Sequence, residues 1–191
     1  MMWRQIRIAL ILLGVFTVVT GIIYPLGVTG ISQVFFRHKA NGSIIEDNGK
    51  ITGSELIGQQ FSDPKYFWGR LSSTSSFEYN ATASSGSNYG LLNPELREAI
   101  EARIDALKAI DPENNQSIPI DLVTFSASGL DPHISIAAAN YQVSRVARYR
   151  GISEEQVYEL VTRFTEGRQL GILGEPRVNV LKLNLALDEI K

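Results

Sequence analysis

The chain contains no cysteine, which removes disulfide frameworks, thiolate zinc sites and thiol nucleophiles from consideration. A cysteine-free chain tolerates either redox environment, so the compartment stays open on this ground. Histidine is nearly as scarce: His38 and His133 are the only two, too few for a histidine-built metal centre, and no metal ligand set is expected. Charge of one sign is also lacking. Eighteen Lys and Arg stand against twenty Asp and Glu, for a formal net charge of −2, whereas nucleic-acid binders carry a clustered basic excess. No G-x-S-x-G elbow, H-E-x-x-H helix or Walker A loop occurs, and no repeat of solenoid period is present.

What the sequence does have is one long uncharged run. Between Arg7 and Arg37 no residue carries a formal charge, and the densest part, Ile8 to Leu26, is close to the ~20 apolar residues needed to cross a bilayer core. A secretory signal would have a shorter apolar core of about 7–15 residues ending at small residues. Tyr24-Pro25-Leu26-Gly27-Val28 offers no such site, so a retained membrane anchor is expected, with residues 1–36 as the membrane segment and 37–191 as a separate domain. Arg4 and Arg7 are balanced by Arg37 and Lys39, so the positive-inside rule leaves the orientation undecided. Gly14, Thr17 and Gly21 fall on one helix face and allow close approach of a second helix.

Residues 37–191 read as one α+β domain with short strands, carrying a net charge of −4 once Arg4 and Arg7 are set aside. Asn48-Gly49 between apolar β-formers predicts a hairpin turn. Ser54 is expected to cap a short helix through Gly58. From Phe61 to Tyr89 seven aromatics interleave with Ser, Asn and Gly, a loop whose rings are expected to fold onto the core. Asn93-Pro94 predicts a helix ending at Asp111-Pro112. Residues 120–125 are rich in β-formers and predict a strand. Asp131-Pro132 repeats the cap-plus-proline signal and predicts a helix from Pro132 to Gly151. Ser153 with Gln156 forms a capping box for a third helix. A strand is expected over Val178–Leu181, and a final short helix capped by Asn184.

Chemical candidates are few. Asp131, His133 and Ser135 could serve a membrane-tethered enzyme or binding domain, but neighbours within one helix entry do not converge as nucleophile, base and orienter. The expected role of Gly129, Asp131, Pro132, His133 and Ser135 is a rigid structural turn at an interface, and no catalytic residue is assigned. Direct potassium binding by Asp131 is the sharper alternative, yet one carboxylate is a poor cage for a hard cation. Ser85, Gly86, Ser87 and Asn88 form the only stretch whose amides could cradle a phosphate.

Several stretches together resemble one family, the C subunit (KdpC) of the Kdp potassium-transporting P-type ATPase. They include Tyr24-Pro25-Leu26 with Thr29-Gly30 and Gln33, Gly53 to Gln59, Tyr66 to Arg70, Ser87-Asn88, and Ile118 to Thr124. Gly129 to Ser135, Gly174 to Leu181 and Leu183 to Asp188 complete the set and extend the resemblance over nearly the whole chain. Two positions depart from the family's usual pattern: Leu71 where proline is usual, and Ser85 where a second glycine is.

The resemblance implies an accessory, non-catalytic subunit in a complex with a channel-like potassium-translocating subunit and an ATP-hydrolysing P-type subunit. It implies a single span in the plasma membrane, the amino terminus cytoplasmic and the domain extracytoplasmic. It also carries a description as a catalytic chaperone that raises the ATP affinity of the hydrolysing subunit, with ATP as ligand of the glycine-rich segment. These implications conflict, because ATP is cytoplasmic.

Overall fold

The computed structural model describes residues 2–47 and 49–190. Chain contacts divide it into two compact units, residues 1–52 and 53–191. The first is dominated by a continuous helix, Met2–Phe35. Its 34 residues span about 51 Å at 1.5 Å per residue, well over the ~30 Å of a hydrocarbon core. None of its side chains is buried in the protein.

The helix is not uniform. Helix α1 (Met2–Val18) widens into a π-helical turn over Val19–Ile23 before α2 (Tyr24–Phe35). The Tyr24 N–H reaches back five residues to the Val19 carbonyl. Pro25 explains the widening: its ring would strike the carbonyl four residues earlier in a tight α-helix, and it has no N–H to donate. The Thr17 and Thr20 hydroxyls donate to the Leu13 and Phe16 carbonyls, both at 2.7 Å. A one-turn helix α3 (Arg37–Ala40) follows, then strands β1 (Ile44–Asp47) and β2 (Lys50–Ser54), which pair as a two-stranded ribbon. The ribbon agrees with the hairpin expectation, and Gly49 has the positive φ of such a turn. Asn48 lies outside the described residues.

The second unit holds α4 (Pro94–Ile110), α5 (Ile120–Val123), β3 (His133–Ser135), α6 (Ile136–Arg150), α7 (Glu154–Arg163), β4 (Thr165–Glu166), β5 (Arg177–Asn179) and α8 (Val180–Asp188). The strands form an antiparallel sheet in the order β3-β5-β4. Asn93 caps α4 through the Glu95 N–H, and Ser153 with Gln156 closes both halves of its box on α7. Helix α6 ends at Gly151 in the left-handed region. It buries Ala138, Ala139, Val143, Val146 and Ala147 against Leu122, Ile134, Val157, Leu183 and Leu187.

Five expected elements differ. Residues 120–123 form a helical turn rather than a strand: Leu122 and Val123 are adjacent and both buried, whereas successive strand side chains point to opposite faces. The helix expected from Pro132 begins at Ile136, because His133–Ser135 pairs with β5 and Ser135 supplies the cap by accepting the Ala138 N–H. The last strand stops at Asn179, whose side chain accepts the Lys182 N–H and starts α8. Asn184 therefore lies inside that helix and is buried rather than a cap. Ser54 starts no helix; its hydroxyl accepts the Leu56 N–H in a single turn.

The aromatic loop folds inward in part, with Phe77 left 64% exposed. Phe67, Trp68 and Tyr79 are buried, although residues 64–70 have neither helix nor ladder to satisfy their amides. Side chains take that role. Asn184 brackets Phe67, accepting from its N–H and donating to its carbonyl, both at 2.9 Å. Gln142 does the same for Trp68, at 2.8 and 3.2 Å. Arg145, only 1% exposed, donates to the carbonyls of Pro64 and Tyr66 and to Gln142 Oε1. Burial pulls its guanidinium down to about 10. Arg103 holds the Gly69 carbonyl at 2.8 Å and lies over one side of the Trp68 ring, 4.7 Å from its centroid.

Removing Asn184 or Gln142 should leave two buried backbone groups without partners, at about 1–3 kcal/mol each. Asn184→Ala and Gln142→Ala are each expected to lower unfolding free energy by roughly 2–5 kcal/mol. Ser153→Ala, which removes only a cap, should cost about 1 kcal/mol. Urea unfolding of the detergent-solubilised chain measures all three, and equal small losses would refute the role assigned to the two amides.

Candidate functional site

Three of the singled-out residues line one open cleft of about 600 Å³, together with Arg70, Asp121, Glu175 and Arg177. Asp131 is one of its lining residues. Oδ1 accepts the His133 N–H at 3.0 Å and faces the His133 Nδ1 at 3.3 Å, while Oδ2 meets Arg70 Nη1 at 3.2 Å. Arg70 also donates to the Phe125 carbonyl at 3.0 Å. Burial pushes the Asp131 carboxyl up, but the His133 ring and N–H and the Arg70 charge outweigh it, so the group lies below its usual value.

The sheet register fixes the other edge. Ser135 and Glu166 both pair with Arg177 across the central strand. Glu166 Oε2 lies 3.3 Å from Arg177 Nε and 3.7 Å from His133 Nε2. Ser135 is held from α5: Asp121 accepts its N–H at 2.7 Å and its hydroxyl at 3.0 Å. The same hydroxyl accepts the Ala138 N–H.

This geometry answers the chemical alternatives. The two nitrogens of His133 face Asp131 and Glu166, and the Ser135 hydroxyl donates to Asp121, so the three residues are not linked as a nucleophile relay. Asp131 is not the helix cap expected of it; it binds the first residue of β3 and neutralises Arg70. With a guanidinium on one oxygen and an N–H on the other, its carboxylate is poorly placed to coordinate a cation. Among the described residues, no group of three or more His, Asp or Glu is placed to hold a metal ion.

The glycine-rich segment does not fit a nucleotide. The Ser85 N–H donates to the Ser128 carbonyl at 3.0 Å. A Cβ at Gly86 would stand 2.6 Å from the Ala127 carbonyl oxygen, so this glycine is pressed against protein backbone, whose carbonyl oxygen would repel a phosphate. The Asn88 amide donates to the Gly86 carbonyl at 3.2 Å. Gly129, at φ +69°, faces the same contact: a Cβ there would meet the Thr74 methyl and the Ser85 carbonyl oxygen under 3 Å. These two glycines serve loop-to-loop packing. In the membrane helix, side chains at Gly14 and Gly21 would meet open space, while the Thr17 hydroxyl is satisfied within its own helix.

Residues 6–189 match the family described as KdpC: K+-transporting ATPase, c chain. The chain belongs to the KdpC family. It is 65% identical over 185 residues to the potassium-transporting ATPase KdpC subunit of Herpetosiphon aurantiacus, covering 97% of this chain and 96% of that one. The like-named subunits of Methylococcus capsulatus and Dechloromonas aromatica are 58% and 60% identical, over 100% and 97% of both chains respectively. The KdpC resemblance of the sequence is thereby established.

Sequence reasoning picked Asp131, His133 and Ser135 but not Arg70, Asp121, Glu166 or Arg177. Arg70, Asp121 and Arg177 lie in the stretches that carry the KdpC resemblance, and the charge of the first two within otherwise apolar segments is the signal that could have found them. Glu166 and Arg177 become neighbours of His133 only through the β3-β5-β4 pairing.

Because the Asp131 carboxyl is lowered in the folded chain, its contribution is present above the unfolded carboxylate value near 3.9 and is lost as pH falls through the folded one. Asp131→Asn keeps an acceptor for the His133 N–H but loses the charge opposite Arg70. It should cost about 1.5–3 kcal/mol between pH 5 and 8, with the difference shrinking only as pH falls below the ordinary carboxylate value and through the lowered folded one. Unfolding curves of both proteins across that range check it, and a gap undiminished at pH 2 would contradict it.

Proposed function

We propose that the chain is the single-span accessory subunit of an ATP-driven potassium importer, assembling and stabilising the complex without catalysing a step itself. The match of residues 6–189 to the KdpC family carries this reading, and the long, wholly unburied apolar helix supports a retained anchor in the plasma membrane. Its partners are the channel-like potassium-translocating subunit, the ATP-hydrolysing P-type subunit and the surrounding lipid.

The membrane segment ends at Phe36, which leaves helical geometry at φ −136° just before the basic Arg37, His38 and Lys39. The amino terminus is cytoplasmic and residues 37–191 are extracytoplasmic, since long domains translocate regardless of flanking charge. Gly14, Thr17 and Gly21 form the face against a partner helix, supported by the open space over both glycines. From outside the membrane the domain has no direct route to ATP, so any rise in ATP affinity is transmitted through the assembled complex. The cleft around Asp131 is a rigid structural edge that orients neighbouring loops toward a partner. A stand-alone tethered enzyme gains no support from His133 and Ser135, which face different carboxylates.

Deleting the gene should abolish growth at limiting potassium. The wild-type chain and the Ser117→Cys variant should both restore it, and an impermeant thiol reagent should label the variant in intact cells, because Ser117 is exposed and the chain has no other thiol. Normal uptake without the chain would refute the subunit reading, and labelling only after lysis would refute the orientation.

A further inference from the structure

Between β4 and β5 the chain closes on itself in a bridged loop whose base reaches Glu175 at the rim of the cleft. The Gln169 N–H donates to the Leu173 carbonyl and the Leu173 N–H to the Gln169 carbonyl, both at 2.9 Å. Inside this bridge the Gly171 and Ile172 N–H groups donate to the Arg168 and Gln169 carbonyls, both at 3.2 Å. Two successive residues are left-handed, Leu170 at φ +54° and Gly171 at +76°. At the base, Arg168 Nη2 holds both carboxylate oxygens of Glu175, at 2.7 and 2.8 Å. From this frame three apolar side chains project into solvent: Leu170 is 88% exposed, Ile172 74% and Leu173 55%.

We propose that this knob seats in an apolar socket on the extracytoplasmic face of a partner subunit of the same complex. The inference rests on the accessory-subunit reading above. The knob is made to leave water: its one cation and one anion neutralise each other, and four of its amides are bonded within it, so burying it strands few polar groups. It is also pre-organised. A leucine in the left-handed region is unfavourable and persists only where the surroundings hold it there, and a fixed shape lowers the ordering cost of entering a fixed socket. A bilayer requires no such fixed shape. Segments that lie on membranes pair their apolar face with free Lys and Arg, whereas Arg168 is held by Glu175 and the domain is net acidic. The observations therefore favour a protein socket over lipid.

The test uses the tagged full-length chain, purified from membranes that carry the whole complex. Leu170→Ser combined with Ile172→Ser should weaken retention of the partner subunits by roughly thirtyfold, the scale of a lost interface hot spot. The unfolding midpoint should stay unchanged, since both side chains are exposed. Undiminished retention by the double variant overturns the knob and leaves the subunit reading standing. Failure of the unaltered chain to retain any partner overturns the subunit reading, and the knob with it. A benzophenone carried on Leu170→Cys, the sole thiol of the chain, reads the contact without weakening it. A cross-link to a partner subunit is the expected result; cross-linking to lipid, or to nothing, contradicts the proposal.

Discussion

The second unit depends on how seven residues without regular secondary structure, Pro64 to Arg70, are held in its interior. Buried backbone that joins no ladder must find partners elsewhere, and here they come from side chains on three helices: Arg103 of α4, Gln142 and Arg145 of α6, and Asn184 of α8. Each amide brackets one residue as a neighbouring strand would. Trp68 lies near two guanidinium groups, Arg103 and Arg145, which face its ring at 4.7 and 5.4 Å. The cost of burying Arg145 is offset by carbonyls of this segment, so charge and irregular backbone satisfy one another. The segment ends at Arg70, and its rigidity is what places that guanidinium beside Asp131.

This arrangement explains what the sequence could and could not reveal. Helix α7 was legible to its cap because Ser153 and Gln156 carry a local signal that nothing tertiary overrides. The start of α4 was legible through Asn93-Pro94 for the same reason. The junctions β3–α6 and β5–α8 were not, since each strand runs into its helix without a loop and the true caps, Ser135 and Asn179, compete with the stronger-looking Asp131-Pro132 and Asn184. Asn184 looks like a cap by type, and only its 2.9 Å bonds to Phe67, 117 residues away in sequence, show its use. The membrane helix was visible from hydropathy alone, whereas its π turn follows from Pro25 acting on the preceding backbone.

The same logic separates packing from chemistry. Gly86 sits in a segment that looks like a phosphate loop by composition, yet Gly86 and Gly129 are where two loops touch. Asp131, His133 and Ser135 look like a relay by type, yet each is tied to a different structural partner. What remains at the surface is a rigid domain on a single apolar span, a construction suited to holding other subunits in register.

Native-state hydrogen exchange at the Phe67 and Trp68 amides tests the central claim most directly. Both lie outside any helix or strand, and unprotected loops open at little cost. If Asn184 and Gln142 hold them as described, both amides will exchange only through global unfolding, with the same free energy as the core of α6. Exchange through low-energy local opening, at the rate of the exposed residues 75–78, would contradict the account.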